Sequence, residues 1–328
     1  MLGSQFLIRA VILFSLNIIA FAQPYSIKGQ FWASRMSIET KTDIITEIGY
    51  IPTVSAYYDL QNGRIIDLEW AYRTGRSYSG STLTLKNTNH HRYWVRYSSS
   101  NLEARLGLQK IVFGPAKILR SLAWFDTIDP EDPIAQTDGV EAFRLRFFPS
   151  NSLALWTWIM KDVSDTLSFG VRGELSTSFG EWGFTLHQDT DVSNTQVGID
   201  FRYDGIIGFW NESVMIKSDN LEIDMITVGA DYTLPIANGV LIMTESMFIS
   251  SNQNTTTSNQ TFTAFMASLP VGMFHNVMLI SSLDWDGHHT YNYLHWSTTF
   301  DSFSINYMVS INPQAVDNSL QLMLIYNH

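Results

Sequence analysis

The segment FSINYMVSI, residues 303–311, places an apolar side chain at every second position, and three of the four residues between them are polar. Successive side chains of a β-strand point to opposite faces of its sheet, so this segment predicts a strand with one dry and one wet face. The same alternation recurs along the chain, for example in Ile66–Arg73, Leu167–Arg172 and Gln196–Tyr203. Signs of helix are nearly absent, which favours an all-β protein.

The composition excludes several classes of protein. The 328 residues are 45% hydrophobic and 13% aromatic, and only 16% are charged, whereas about a quarter of a soluble globular protein is charged. This apolar content argues against a disordered chain. With no cysteine, the chain has no disulfide scaffold, no thiol nucleophile and no lipid-modified cysteine. The formal charge of −11 argues against nucleic acid as a partner.

Residues 1–22 resemble a secretory signal peptide. Arg9 is their only charged residue, an apolar stretch follows from Ala10 to Phe21, and Ala20-Phe21-Ala22 forms an A-x-A cleavage pattern. A short membrane anchor is the alternative, but the stretch is brief and is interrupted by polar residues. Cleavage leaves one domain, residues 23–328, of 328 − 22 = 306 residues, and the loss of Arg9 changes the formal charge from −11 to −12.

The alternating segments number 18. We place them near residues 26–37, 47–59, 64–78, 90–98, 102–112, 140–148, 152–161, 167–177, 181–187, 194–203, 206–216, 222–233, 239–249, 261–269, 273–284, 290–299, 303–311 and 319–326. The segments 181–187 and 206–216 are the weakest, so 16 strands is the fallback count. Many apolar faces end in aromatic residues such as Tyr58, Tyr97 and Tyr326, as the interfacial girdles of membrane barrels do.

Short and long connections alternate along the chain. Tight turns are predicted at positions such as Gln61–Gly63 and Ser99–Asn101, and long connections at Glu39–Glu47, Ser79–Asn89 and Ser250–Gln260. Outer-membrane barrels have this asymmetry, with tight periplasmic turns and longer external loops, whereas a soluble sandwich has no reason to keep it. We therefore predict a transmembrane antiparallel up-and-down β-barrel in the outer membrane of a Gram-negative-type bacterium.

If the apolar side chains face lipid, the residues between them face the lumen. They include a set of arginines that would form a pore-lining basic wall: Arg73, Arg92, Arg96, Arg105, Arg144, Arg146 and Arg172. A turn centred near residue 100 sets Arg96 opposite Arg105 and Arg92 opposite Gln109. Two opposed arginines are costly in a dry interior because like charges repel, but a water-filled lumen tolerates them.

The longest connection, Phe113–Asp138, lies within the same arc of strands. It contains an apolar stretch that includes Ile118, Leu122 and Trp124, so we expect it to fold against or into the barrel. Its carboxylates would act as an acidic constriction: Asp126, Asp129, Glu131 and Asp132. An acidic loop beside a basic wall would create a transverse field that selects solutes. In the alternative, these charges pair as structural salt bridges and the loop plugs the lumen.

The region Leu102–Lys161 carries a recognisable series of motifs. It has the form R-x-G-x-Q-x-I-x-x-G, then D-x-x-x-P-x-D, then a basic strand and a tryptophan-rich hairpin, on Arg105, Gly107, Gln109, Ile111, Gly114, Asp126, Pro130, Asp132, Arg144, Arg146, Pro149 and Trp158. It resembles porin-like outer-membrane barrels related to alginate-export-type channels. Leu108 and Phe113 depart from the pattern, because the family often has Arg and Trp there. The resemblance implies a porin-like barrel and no particular substrate.

Three hypotheses for function follow. The first is a porin-like channel for passive diffusion of small hydrophilic solutes through a water-filled lumen constricted by loop 113–138. The second is a plugged surface barrel that binds a polysaccharide or an envelope partner. The third is an outer-membrane lipid hydrolase using Ser168 and His187, which lie on neighbouring predicted strands. We favour the channel, and we expect no enzymatic activity, cofactor or metal, because no catalytic or metal-binding motif is present.

The membrane location implies several partners. We expect contacts with outer-membrane lipid and lipopolysaccharide and with small hydrophilic solutes, and the barrel could form a homotrimer. The barrel-assembly machinery is a further expected partner, since many such barrels end in an aromatic residue that this machinery reads. Here the last aromatic residue is Tyr326, two places before the end of the sequence.

Overall fold

The computed structural model describes residues 25–161, 165–191, 193–253, 256–314 and 316–328, so the signal segment 1–22 lies outside the described residues. The regular elements in the described residues are 18 β-strands. They are β1 Tyr25–Ile38, β2 Ile45–Gln61, β3 Arg64–Ser79, β4 Thr82–Ser98, β5 Leu102–Gln109, β6 Val140–Ser150, β7 Leu153–Lys161, β8 Leu167–Thr177, β9 Gly180–Asp189, β10 Asn194–Asp204, β11 Gly208–Lys217, β12 Leu221–Leu234, β13 Val240–Gln253, β14 Thr256–Val271, β15 His275–Asp284, β16 His289–Thr299, β17 Phe303–Ile311 and β18 Ser319–Asn327.

Each strand pairs antiparallel with its neighbour in the chain, and β1 closes on β18, from Gln30 opposite Asn327 to Ile38 opposite Ser319. Closure pairs both edges of the sheet that the 18 described strands form. The prediction of an up-and-down barrel with 18 strands is thereby confirmed. The two weakest predicted segments are the complete strands β9 and β11, so the fallback count of 16 is wrong.

The two faces of the wall differ in polarity, as the alternation predicts. On β8, Leu167, Phe169 and Val171 are 61%, 55% and 49% exposed on the outer face, whereas Ser168 and Arg172 are buried on the inner face. A continuous outer band of exposed Leu, Ile, Val and Phe suits the apolar interior of a membrane, where a closed barrel satisfies its backbone hydrogen bonds internally. Among the described residues, no helix is long and apolar enough to cross a membrane.

Two connections expected to be long loops are hairpin strands instead. The predicted loop Ser79–Asn89 is wrong because β4 begins at Thr82, and Ser250–Gln260 is wrong because β13 runs to Gln253 and β14 starts at Thr256. These segments are rich in Thr, Ser and Asn, which makes them resemble loops in sequence. In a hairpin that extends past the apolar band, such polar residues face water on both sides while the backbone ladder continues.

The barrel interior is packed, and residues of one connection, 110–139, take part in both main clusters. Ile134 packs in a cluster that also contains Trp32, Ile51, Tyr293 and other inward residues. Phe113 and Leu122 belong to a second cluster built around Trp158, Met160 and Val214. The connection therefore enters the barrel, which confirms the predicted inward fold of the long loop.

Candidate functional site: the barrel lumen

Glu245 on β13 holds the first turn of the inward loop. Its Oε1 accepts the N–H of Lys117 at 2.7 Å, and its Oε2 accepts the N–H groups of Ile118 and Leu119 at 2.9 and 2.6 Å. The indole Nε1 of Trp210 donates to Oε1 at 3.1 Å. The residue is completely buried. A carboxylate with four donors is well satisfied, because charge-assisted hydrogen bonds offset the cost of removing it from water.

Glu212 on β11 holds the same loop from a neighbouring position. Its Oε1 accepts the N–H of Ala116 and its Oε2 that of Leu122, both at 2.9 Å. Glu212 is also completely buried. Gly114 lies so close that an added Cβ would collide with the carboxylate, and its φ of +78° suits glycine. This glycine of the sequence motif therefore has a structural role, since it lets the loop backbone approach Glu212.

A cluster of aromatic rings packs against the loop beside these carboxylates. The ring of Phe113 lies 5.2 Å from that of Trp158, and Phe125 lies 4.9 Å from His187. The indole Nε1 of Trp158 donates to Nδ1 of His187 at 3.3 Å. His187, which the hydrolase hypothesis paired with Ser168, thus takes part in packing of the loop.

The far end of the loop is bonded to the opposite wall. The hydroxyl of Tyr293 on β16 donates to the carbonyl of Glu131 at 2.6 Å, and Gln136 Nε2 donates to Gln30 Oε1 on β1 at 3.1 Å. The loop therefore crosses the lumen from β11–β13 to β16 and β1.

Three of the predicted wall arginines surround Glu103 on β5. The carboxylate lies 3.4 Å from Arg96, 3.5 Å from Arg105 and 2.9 Å from Arg144. Arg96 and Arg105 are cross-strand partners, as the turn near residue 100 predicts. Arg96 also pairs with Asp67 at 2.6 Å. These side chains lie on the inner face, where wall carboxylates offset part of their charge.

Two further arginines continue the row around the inner wall. Arg146 stacks on Trp156, with its guanidinium carbon 3.9 Å from the ring centroid, and lies 3.9 Å from Glu174. Arg172 pairs with Asp200 at 2.6 Å and with Glu174 at 2.9 Å. Stacking on indole rings holds guanidinium groups flat against the wall.

The last two predicted arginines have no ion pair with a described residue. Arg73 lies over the ring of Trp32, 5.5 Å from its centroid. Arg92 donates to the backbone carbonyls of His91 and Thr137, the second of which belongs to the loop. Arg92 is therefore buried between the wall and the loop, with backbone carbonyls as its hydrogen-bond partners and with Glu69 and Asp138 near enough to act on its charge.

The acidic residues of the loop differ in their surroundings. Asp126 forms an ion pair with Arg120 of the same loop, and its side chain is only 1% exposed. Burial and the charge of Asp129 raise the pKa of Glu131 above its usual range, and burial is the main cause of a raised pKa at Asp132 as well. Five of the seven wall arginines pair with wall carboxylates, whereas Asp126 pairs within the loop.

The sequence did not point to Glu103, Glu212 or Glu245. A possible signal was present at Glu245, which is a lone acidic residue on an inward row between Met243 and Met247. Among the residues that the structure describes, no group of three or more His, Cys, Asp or Glu could hold a metal ion.

Two cavities lie between the loop and the wall. One, of about 480 Å³, is lined by residues that include Lys117, Arg172 and Trp182. The other, of about 520 Å³, lies beside β1–β5 and includes Arg92 and Arg105. Both have charged and aromatic walls, as a passage for hydrophilic solutes requires.

The fold and this lumen define a porin-like β-barrel. No family model matches the chain, and no curated protein matches it. OccD3 (OpdP) of Pseudomonas aeruginosa is similar in structure with a TM-score of 0.65 at 10% identity, covering 93% of this chain and 91% of that one. OccK2 (OpdF) of the same organism gives a TM-score of 0.66 at 10% identity, covering 93% and 98%. A triple mutant of the Rhodopseudomonas blastica porin gives 0.55 at 13% identity, covering 93% and 100%. At these identities the likeness is one of fold.

Proposed function

We propose that the chain is an outer-membrane porin-like channel through which small hydrophilic solutes diffuse passively. The observation that carries this proposal is the inward loop, which narrows the lumen while cavities lined in part by charged side chains remain along the wall. The closed barrel, its apolar exterior and its likeness in fold to a porin support the same function. A catalytic step is not part of the proposal.

Within this channel, the seven wall arginines set the local field. Arg73 and Arg92 have no ion pair with a described residue, so their positive charge on the β3–β4 side of the lumen is offset only in part, by Glu69 and Asp138 near Arg92 and by Asp132 near Arg73. Anions would therefore be favoured locally, although the whole chain is acidic. Binding must remain weak, because conduction requires release as well as entry.

Planar-bilayer recording of the refolded protein tests the proposal. In ~1 M salt, where fields are screened over about 3 Å, an open lumen gives stable conductance steps. Silence from a protein whose circular dichroism confirms a folded barrel would contradict the channel function.

A plugged barrel is the second candidate, and one specific observation favours it. The loop is bonded to β11 and β13 on one side and to β16 and β1 on the other, so it spans the lumen. Such a barrel would bind a polysaccharide or an envelope partner at its surface, and it would give no conductance steps.

Several finer features remain part of the proposal. The alginate-export-type resemblance is one, and its Gly107 and Gly114 have φ values of +119° and +78° that favour glycine. Cleavage of residues 1–22, assembly by the barrel-assembly machinery, contact with lipopolysaccharide and a homotrimeric state are the others. Size measurement in detergent tests the trimer, and sequencing of the mature amino terminus tests the cleavage.

A further inference from the structure

Two basic residues lie opposite each other on the outer face of the barrel. Glu47 faces the lumen, because it accepts a hydrogen bond from the indole of Trp32 at 3.1 Å. The next residue, Ile48, therefore faces outward, and it is 44% exposed. Arg76 on β3 is the cross-strand partner of Ile48, and Lys86 on β4 is the partner of Arg76. Both basic side chains are exposed on this outer face.

Arg35 on β1 joins the same surface. Ser34 is buried on the inner face, so Arg35 points outward, where it is exposed. Its partner on β2 is Thr46, whose own partner on β3 is Tyr78, two residues from Arg76. We call Arg35, Arg76 and Lys86 the rim patch. It lies towards one end of the barrel, whereas the start of β1 at Tyr25 and the end of β18 at Asn327 lie at the other.

The rim patch has no counter-charge among the described residues. None of its three cations has a carboxylate of a described residue within 4.0 Å. Asp43, in the neighbouring connection, bonds instead to Ser79 at 3.5 Å. Like charges directly opposite on two strands destabilise their pairing. An anion placed between Arg76 and Lys86 would convert this repulsion into two attractive contacts.

The surroundings of the rim patch indicate what kind of anion would fit there. Exposed apolar side chains adjoin the cations, including Ile48 beside Arg76 and Leu322, which is 46% exposed and pairs with Arg35. A molecule that covers both features has an anionic head and an apolar tail. Arginine binds phosphate oxygens through two parallel N–H groups, and long basic side chains at a membrane surface reach from apolar contacts to charged headgroups.

We propose that the rim patch binds the phosphate groups of a phosphorylated lipid in the adjoining leaflet, with the acyl chains against the neighbouring apolar strands. This site requires the membrane location and is independent of whether the lumen conducts. Conductance recording can therefore fail while this proposal stands, and the reverse also holds.

Purified protein in non-ionic detergent, titrated with lipopolysaccharide as the phosphorylated lipid, tests the proposal. Native mass spectrometry counts retained lipid, and the thermal unfolding midpoint reports stabilisation. We expect wild-type protein to retain lipid and the double variant R76Q/K86Q to bind it at least tenfold more weakly. Lys217→Gln is the matched control, because Lys217 is an exposed cation at the same end that already pairs with Glu222 at 3.8 Å.

Three outcomes would overturn the proposal. Equal lipid retention by wild type and R76Q/K86Q would remove the rim patch as the site. Equal binding of lipopolysaccharide and its enzymatically dephosphorylated form would remove phosphate as the recognised group. The same thermal shift with inorganic phosphate alone would indicate an ion site open to water. If the double variant does not refold, the single variants Arg35→Gln and Arg76→Gln carry the same test.

Discussion

Arg96 on β4 and Arg105 on β5 are direct cross-strand partners on the inner face of the barrel. Glu103 approaches both guanidinium groups, at 3.4 and 3.5 Å, and Arg105 stacks over Trp94 with its guanidinium carbon 4.4 Å from the ring centroid. The repulsion between the two cations is thus reduced by one carboxylate and one indole ring. The arrangement keeps positive charge at the lumen wall without an apolar core around it.

Replacement of both arginines by glutamate reverses this charge. In R96E/R105E we expect the ion selectivity of the channel to shift toward cations, because a local change from +2 to −2 outweighs distant charges in a narrow lumen. Reversal potentials in a salt gradient measure the shift. Lys217→Glu on the outer face is the control and should leave selectivity unchanged. An unaltered reversal potential in the double variant would place these two residues off the conduction path.

Glu245 should be the main anchor of the inward loop. In Glu245→Gln, an uncharged amide faces three backbone N–H groups and its own NH₂ group opposes them. Hydrogen bonds to charged groups contribute about 1.5–3 kcal/mol each. We therefore expect the free energy that holds the loop in its folded position to fall by about 2 kcal/mol or more. Limited proteolysis within 110–139 and the noise of single-channel current should both increase.

The exposed Glu222→Gln serves as the control for the anchor, since Glu222 pairs with Lys217 on the outside of the barrel. Equal cleavage of wild type and Glu245→Gln, with both folded, would show that the other loop contacts hold the loop without Glu245.

The strand pattern could be predicted from sequence because it is a local property. One dry and one wet face give a period of two that is visible in each segment, including β9 and β11. The inward fold of the loop was predictable too, since a long connection with Leu122 and Trp124 cannot stay in water without cost. Glu212 and Glu245 could not be identified, because an inward carboxylate looks like a water-facing residue in sequence. Their partners are backbone N–H groups 96 and up to 128 positions away.

Protonation of the loop carboxylates should make the channel depend on pH. The pKa values of Glu131 and Asp132 are raised, mainly by burial. Folding therefore favours the protonated forms of both side chains. The folded position of the loop gains stability as pH falls through these raised pKa values toward the ordinary carboxyl pKa of about 4. Loss of two negative charges should also increase anion selectivity over the same interval.

Reversal potentials from pH 7 to pH 4 check this prediction. The double variant E131Q/D132N should show a much flatter profile, with wild-type selectivity at low pH. A variant profile as steep as that of wild type would assign the titration to other carboxylates.

Removal of the loop tests whether it narrows the lumen. Deletion of residues 117–134 takes away the segment held by Glu245 and the packing of Ile134 against the opposite wall. We expect single-channel conductance to rise, because the segment crosses the lumen and its removal widens the narrowest passage. The deletion removes the three loop N–H partners of Glu245 and one of the two loop partners of Glu212, so a second deletion variant that also carries E212Q/E245Q avoids leaving unpaired buried charge on the wall. Circular dichroism and heat-modified gel mobility verify the barrel in both deletions. An unchanged conductance in two folded deletion variants would mean that solutes pass beside the loop and that the narrowest point is set by the wall itself.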